Sequence, residues 1–122
     1  MSREIKTPGP DHPITVEKNP ARVTVRVGDQ VVADSTAALV LQESNYPPAH
    51  YIPLADVDPA LITPTDTSTY CPYKGDASYY TLVTKDGELT DAIWTYNTPY
   101  PAVAEIAGHV AFYPNKVEIT QS

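Results

Sequence analysis

One cysteine, eight basic residues and no long apolar run are what this chain of 122 residues is short of, and each shortage excludes a class of protein. A lone thiol, Cys71, cannot close an internal disulfide, so the disulfide framework of a small secreted domain is excluded. Met1 to Pro13 lacks the apolar core of a secretory signal, and the expected location is cytoplasmic with the thiol reduced. Eight Lys and Arg against fifteen Asp and Glu leave a net charge of −7. That charge repels phosphate backbones and anionic membrane surfaces, so neither nucleic acid nor membrane is an expected partner. The longest unbroken apolar run, Ala37 to Leu41, falls far below the ~20 residues of a membrane-spanning helix. His12, His50 and His109 show no metal-ligand spacing and have no Cys-x-x-Cys companion, which argues against a structural zinc. With no Walker loop and no dinucleotide motif, no cofactor is assigned.

What the chain has in quantity is proline and tyrosine. Thirteen prolines, about twice the ~5% average usage, break up long helices and predict many short strands. Met1 to Pro13, with four Pro or Gly punctuation points at 8, 9, 10 and 13, reads as an extended or mobile arm, and residues 14–122 as a single β domain. Ile14–Glu17 alternates briefly and suits an edge strand. Val23, Val25 and Val27 alternate with polar neighbours and pair across Gly28-Asp29 with Val31–Ala33. Ala37–Leu41 is read as a strand, Tyr46–Pro53 as a polyproline-like passage, and Thr63–Thr69 as a polar loop. Asp56 or Asp58 caps a short helix that starts at Pro59 and turns Ala60, Leu61 and Ile62 inward. Ala77–Thr84 and Ala92–Tyr96 form a hairpin around Asp86-Gly87, followed by a helical turn in Ala102–Ala107, a strand over His109–Tyr113 and an edge segment at Lys116–Thr120. The expected fold is a mainly β, mostly antiparallel domain of about seven to nine strands.

The densest stretch is Thr69–Tyr80, which holds Cys71, Pro72, Lys74-Gly75 and four tyrosines. Pro72 fixes the chain beside Cys71 and would aim its thiol, although an isolated cysteine more often serves as a small buried hydrophobe. Glycine at 75 lets backbone approach a ligand and Lys74 supplies a compact cation for an anionic group. Asp34, Glu43, Asp56 and Asp76 are all candidate ion-pair partners for Lys74. Asp34, Ser35 and Glu43 suit acid–base work if half-buried, or bonding to backbone at a strand end. Tyr46, Tyr51, Tyr73 and Trp94, which accompany prolines or turns, are candidate walls of an aromatic pocket, with Tyr80 as a further one.

The blocks Arg22-Val23-x-Val25, Val32-Ala33-Asp34-Ser35, Pro47-Pro48-x-x-Tyr51-Ile52-Pro53-x-x-Asp56-Val57, Thr69-x-Cys71-Pro72-Tyr73-Lys74-Gly75-x-Ala77-x-Tyr79-Tyr80, Trp94-x-Tyr96 and Ile106-Ala107-Gly108-x-Val110-Ala111-Phe112-Tyr113 together resemble the bacterial domain-of-unknown-function 427 family from about Arg22 to Val117. The resemblance implies a compact, folded-over antiparallel sheet of the β-tent kind with one or two short helices. It also carries a nucleotidyltransferase-like label. Many β-tent relatives hold zinc through a Cys-x-x-Cys pair, which this chain lacks. By family motif, Asp34, Ser35, Glu43, Tyr51, Cys71, Tyr73, Lys74, Gly75, Tyr80 and Trp94 are expected to meet in space.

Three functions remain open at this level. The first is small-molecule binding in an aromatic-lined pocket, with Lys74 on an anionic or carbonyl group. The second is a group-transfer enzyme with Asp34 or Glu43 as base and Cys71 as a nucleophile. The third is an interaction module whose Tyr-Pro patch engages another chain or a second copy as a homodimer.

Overall fold

The computed structural model describes residues 4–122. Ten strands follow in order: β1 (Ile14–Lys18), β2 (Val23–Val27), β3 (Gln30–Ser35), β4 (Leu39–Glu43), β5 (Ala49–Pro53), β6 (Ile62–Cys71), β7 (Gly75–Thr84), β8 (Gly87–Tyr96), β9 (His109–Phe112) and β10 (Glu118–Gln121). A seven-stranded sheet runs β1-β4-β5-β9-β8-β7-β6, and a three-stranded sheet runs β10-β2-β3. Every pairing between these strands is antiparallel. The described residues contain three short 3-10 segments, Leu54–Asp56, Pro59–Leu61 and Pro101–Ile106. No helix among the described residues is long and apolar enough to cross a membrane. Of the expected N-terminal arm, residues 1–3 lie outside the described part.

Alternation along the strands of the large sheet supplies two cores, one on each face. On one face Ile52, Leu82, Ile93, Val110 and Phe112 pack against Val23, Val25, Val32 and Ala33 of the small sheet. On the other, Leu41, Tyr51, Ala77, Tyr96 and Ala111 pack against Val103 and Ile106 of the last 3-10 segment. Each fully buried Val, Leu or Ile contributes roughly 1.5–3 kcal/mol, so both faces stabilise the sheet and neither is a free surface. Asp58 caps Pro59–Leu61 through its side chain, which accepts from Ala60 N at 3.0 Å.

Three local expectations are corrected. Thr63–Thr69 is not a loop but part of β6, paired with β7 along the sheet edge with a register shift between Pro64 and Ser68. Its sequence is polar because the strand is exposed over most of its length, and an edge position tolerates the missing N–H of Pro64. The polyproline-like passage ends at Pro48, because Ala49–Pro53 pairs with β4. Ala60 points outward, and Leu61 and Ile62 are half-buried.

One irregularity of the large sheet places the site. Strand β5 pairs with β4 from Tyr51 down to Ala49, but with β9 only at Ile52↔Val110 and Pro53↔His109. Beyond those two pairs β5 and β9 diverge, and side chains line the opening between them.

Candidate functional site: a charge cluster at the mouth of an aromatic cleft

Where β5 and β9 separate, a cleft of about 290 Å³ is lined by Leu41, Glu43, Tyr46, Tyr51, Lys74 and Trp94, among others. His50 and Phe112 border it as well, together with the prolines at 47, 48 and 114. Trp94 Nε1 donates to the Tyr51 hydroxyl at 3.0 Å, and the two rings meet edge to face with centroids 6.3 Å apart. Tyr51 has thereby used an acceptor position and keeps its own hydrogen to give. Burial raises the Tyr51 phenol well above its ordinary value, with smaller contributions from Glu43 and others, so it stays protonated at neutral pH.

The charged end of the cleft is assembled from three distant parts of the chain. Glu43 closes β4. Lys74 comes from the tight β6–β7 turn, where Lys74 N bonds Cys71 O at 3.2 Å and Tyr100 N bonds Lys74 O at 3.0 Å. Gly75 makes that turn possible at φ +111, and an added Cβ would lie 3.4 Å from the carbonyl oxygen of Thr98. Lys74 Nζ then reaches Glu43 Oε1 at 2.6 Å and sits 5.8 Å from the Tyr96 ring centroid. The ion pair is largely withdrawn from water, with side-chain exposures of 13% and 14%.

The third member is His12, from the arm. Register in the β1–β4 pair sets Ile14 opposite Glu43, so the chain just before Ile14 passes beside that carboxylate. His12 Nε2 lies 2.7 Å from Glu43 Oε2. An ionised carboxylate has no hydrogen to give, so the imidazole nitrogen is the donor. The His12 ring stacks on Tyr73 at 4.1 Å and 8° and meets Tyr46 edge-on. The arm is fastened farther back, where Lys6 N bonds Pro72 O at 2.9 Å and Tyr70 OH bonds Glu4 O at 2.6 Å. Burial alone would raise the Glu43 carboxyl. The hydrogen bonds and charges of Lys74 and His12 outweigh it and hold the group below the ordinary glutamate range.

Among the residues singled out from sequence, Glu43, Tyr51, Lys74 and Trp94 share the cleft. Tyr73 supports it through His12, and half-buried Cys71 packs beneath it against the second core. Tyr80 packs on the opposite face of the sheet. Asp34 and Ser35 belong to β3 of the small sheet. Asp34 takes a two-pronged bond from Arg22, with Nε at 2.8 Å from Oδ1, and Ser35 Oγ donates to Asp56 at 2.6 Å while accepting from Ala37 N at 3.0 Å. Ser35 thus bonds backbone just past its strand's end. The expectation that all the motif residues meet does not hold for Asp34 and Ser35, which belong to the small sheet, or for Tyr80, which faces the opposite side of the large sheet.

Tyr46, expected from its place beside two prolines to line a cleft, does so, and His12, His50 and Phe112 complete the site without having been marked as site residues. His50 Nδ1 is the one buried side-chain nitrogen or oxygen of the described residues that has no hydrogen-bond partner. Burial lowers the His50 pKa, so the ring is neutral at pH 7. No group of three or more His, Cys, Asp or Glu among the described residues is arranged to hold a metal ion.

The architecture is that of a mainly β domain whose large sheet opens into a side-chain-lined cleft. From Thr15 to Ser122 the chain matches the family described as Domain of unknown function (DUF427), and it belongs to that family. No curated protein matches it.

Proposed function

We propose that the cleft between β5 and β9 binds a small, flat organic ligand through a carbonyl or carboxylate group, held by Lys74 and Tyr51 against the rings of Trp94 and Tyr46. The observation that carries this reading is the Lys74–Glu43 pair, nearly buried at the mouth of an aromatic cleft. A buried ion pair is weak as a stabiliser, since apolar residues of like volume often do as well. Its position where a ligand would enter therefore fits recognition better than stability. Lys74 keeps hydrogens beyond the one it gives Glu43, and Tyr51 keeps one. The volume sits at the lower end of the ~300–1,000 Å³ typical of ligand pockets, which suits a metabolite-sized molecule. A cytoplasmic setting, with Cys71 reduced, is part of this reading.

Trp94 is the single tryptophan, so tryptophan emission reports on the surroundings of this one cleft-lining ring. Titration with aromatic carboxylates, nucleobases and small ketones is expected to change that emission saturably for at least one compound. The same compound should raise the melting temperature by mass action. Lys74→Met should weaken binding about tenfold or more, the loss of one charge-assisted bond. Emission indifferent to every compound, or full affinity in a folded Lys74→Met variant, refutes the proposal.

A second reading, group transfer with Glu43 as base, draws on the His12–Glu43 contact and on the family's short name, which refers to nucleotidyl transfer. Turnover of a magnesium nucleotide that stops in Glu43→Gln would favour it over simple binding.

A further inference from the structure

A second hollow, of about 390 Å³, lies farther across the large sheet and shares no lining residue with the first. Register sets Tyr79 opposite Trp94 and Trp94 opposite Ala111, and opposed residues share a face. Tyr113 meets Trp94 at 4.5 Å between ring centroids. Tyr79, Trp94 and Tyr113 thus form an aromatic ridge, with the ligand cleft on one side and this hollow on the other.

The hollow is built around Asp91. Its φ of +53 is uncommon for a residue other than glycine, and it lies in the stretch where β7 and β8 lose register between Tyr80 and Leu82. Such bulges re-aim side chains. Here the carboxylate meets β6, where Thr65 Oγ1 donates to Oδ1 and Thr67 Oγ1 to Oδ2, each at 2.7 Å. Those bonds hold the carboxyl below its ordinary range against the opposing effect of burial, and each oxygen retains a free lone pair. Nearby, Thr69 Oγ1 and Tyr79 OH are 2.9 Å apart. Lys116 Nζ donates to Thr90 O at 3.0 Å and lies 5.8 Å from the Tyr113 ring centroid. Asn115 adds an amide at the rim.

We propose that this hollow binds a neutral saccharide ring. A sugar hydroxyl gives and accepts a hydrogen bond at once, and the lining of the hollow offers both kinds of partner: Asp91 accepts, Lys116 donates, and Asn115 does either. The half-buried rings of Tyr79 and Tyr113 supply the flat apolar wall on which the C–H face of a pyranose or furanose rests. The single acid and single base of the hollow cancel, and a phosphate would meet Asp91 beside its only lysine, which favours an uncharged ligand. Thr67 and Thr69 are exposed at the edge of the hollow, so the affinity belongs to the weak class of open polar sites.

Backbone NMR of the full chain, titrated with ribose, glucose, N-acetylglucosamine and inositol, tests this. At least one sugar should shift the amides of Tyr79, Asp91 and Tyr113 saturably. Asn115→Ala and Lys116→Ala, both at exposed positions, should leave the melting temperature unchanged and weaken binding roughly three- to tenfold each. Asp91→Asn, which keeps the side-chain size and tolerates the positive φ, should weaken it further. Absence of any saturable shift, shifts that map elsewhere, or full affinity in both rim variants overturns the proposal. In that last case Asp91 is only the anchor of its bulge. Lys74→Met should leave sugar binding intact, so failure here is distinguishable from failure of the ligand cleft.

Discussion

Arg22–Asp34 and Lys74–Glu43 are chemically the same kind of pair in opposite settings. The first spans β2 and β3 with side-chain exposures of 59% and 38%; the second closes the cleft at 13% and 14%. Both carboxyls are held below their ordinary range by a cationic partner, but only Glu43 must first overcome a large cost of burial. In water the Arg22 pair is one of many conformations two long side chains sample, and salt screens it. At the cleft the partners have little water to fall back on, so each depends on the other. Burial, and not the identity of the partners, separates a surface ornament from a site.

The largest effect that would sharpen this contrast is at Lys74. Lys74→Ala leaves Glu43 buried beside His12 alone and should destabilise the fold by about 2–4 kcal/mol, measured by urea denaturation with an unchanged slope. A loss no greater than that of Arg22→Ala would erase the distinction.

A smaller effect lies in the acid limb of stability. Because the folded-state pKa of Glu43 is depressed, its contribution is fully present above the ordinary value of 4.5 and is lost as pH falls through the lower folded value. Glu43→Gln should flatten that limb below the ordinary glutamate value of 4.5, followed by thermal melts across the acid range. Asp34→Asn should flatten it less, since its exposed pair is already screened.

The smallest effect is at Arg22. Arg22→Ala should change stability barely at all in low salt and not at all in half-molar salt. A salt-resistant loss there would show the surface pair to be less solvated than its exposure indicates.

How much of this was legible in the chain depended on whether a signal was local. The Val23–Val27 and Gln30–Ser35 hairpin carries its alternation and its Gly28 turn in a dozen residues, and the Gly87 hairpin does the same, so both were readable. Strand β6 was not: exposed on both sides at the sheet edge, it shows no apolar period, and only its run of threonines hinted at extended backbone. Lys74, Glu43, Tyr51 and Trp94 could be nominated by residue type, but choosing Glu43 among four acidic candidates required strand register. His12 gave no sign at all. It lies 31 residues from Glu43 in a proline-rich segment whose composition reads as unstructured, and only the Ile14↔Glu43 pairing brings it in. Asp34 and Ser35 misled because chain proximity to a motif says nothing about which sheet a strand joins.

The family match opens at Thr15, and His12 stands before it. The imidazole therefore reaches its carboxylate from outside the shared span, as an accessory clipped onto a common chassis. A change at position 12 would alter the partner of Glu43 Oε2 while leaving every strand of the fold in place, since His12 precedes β1.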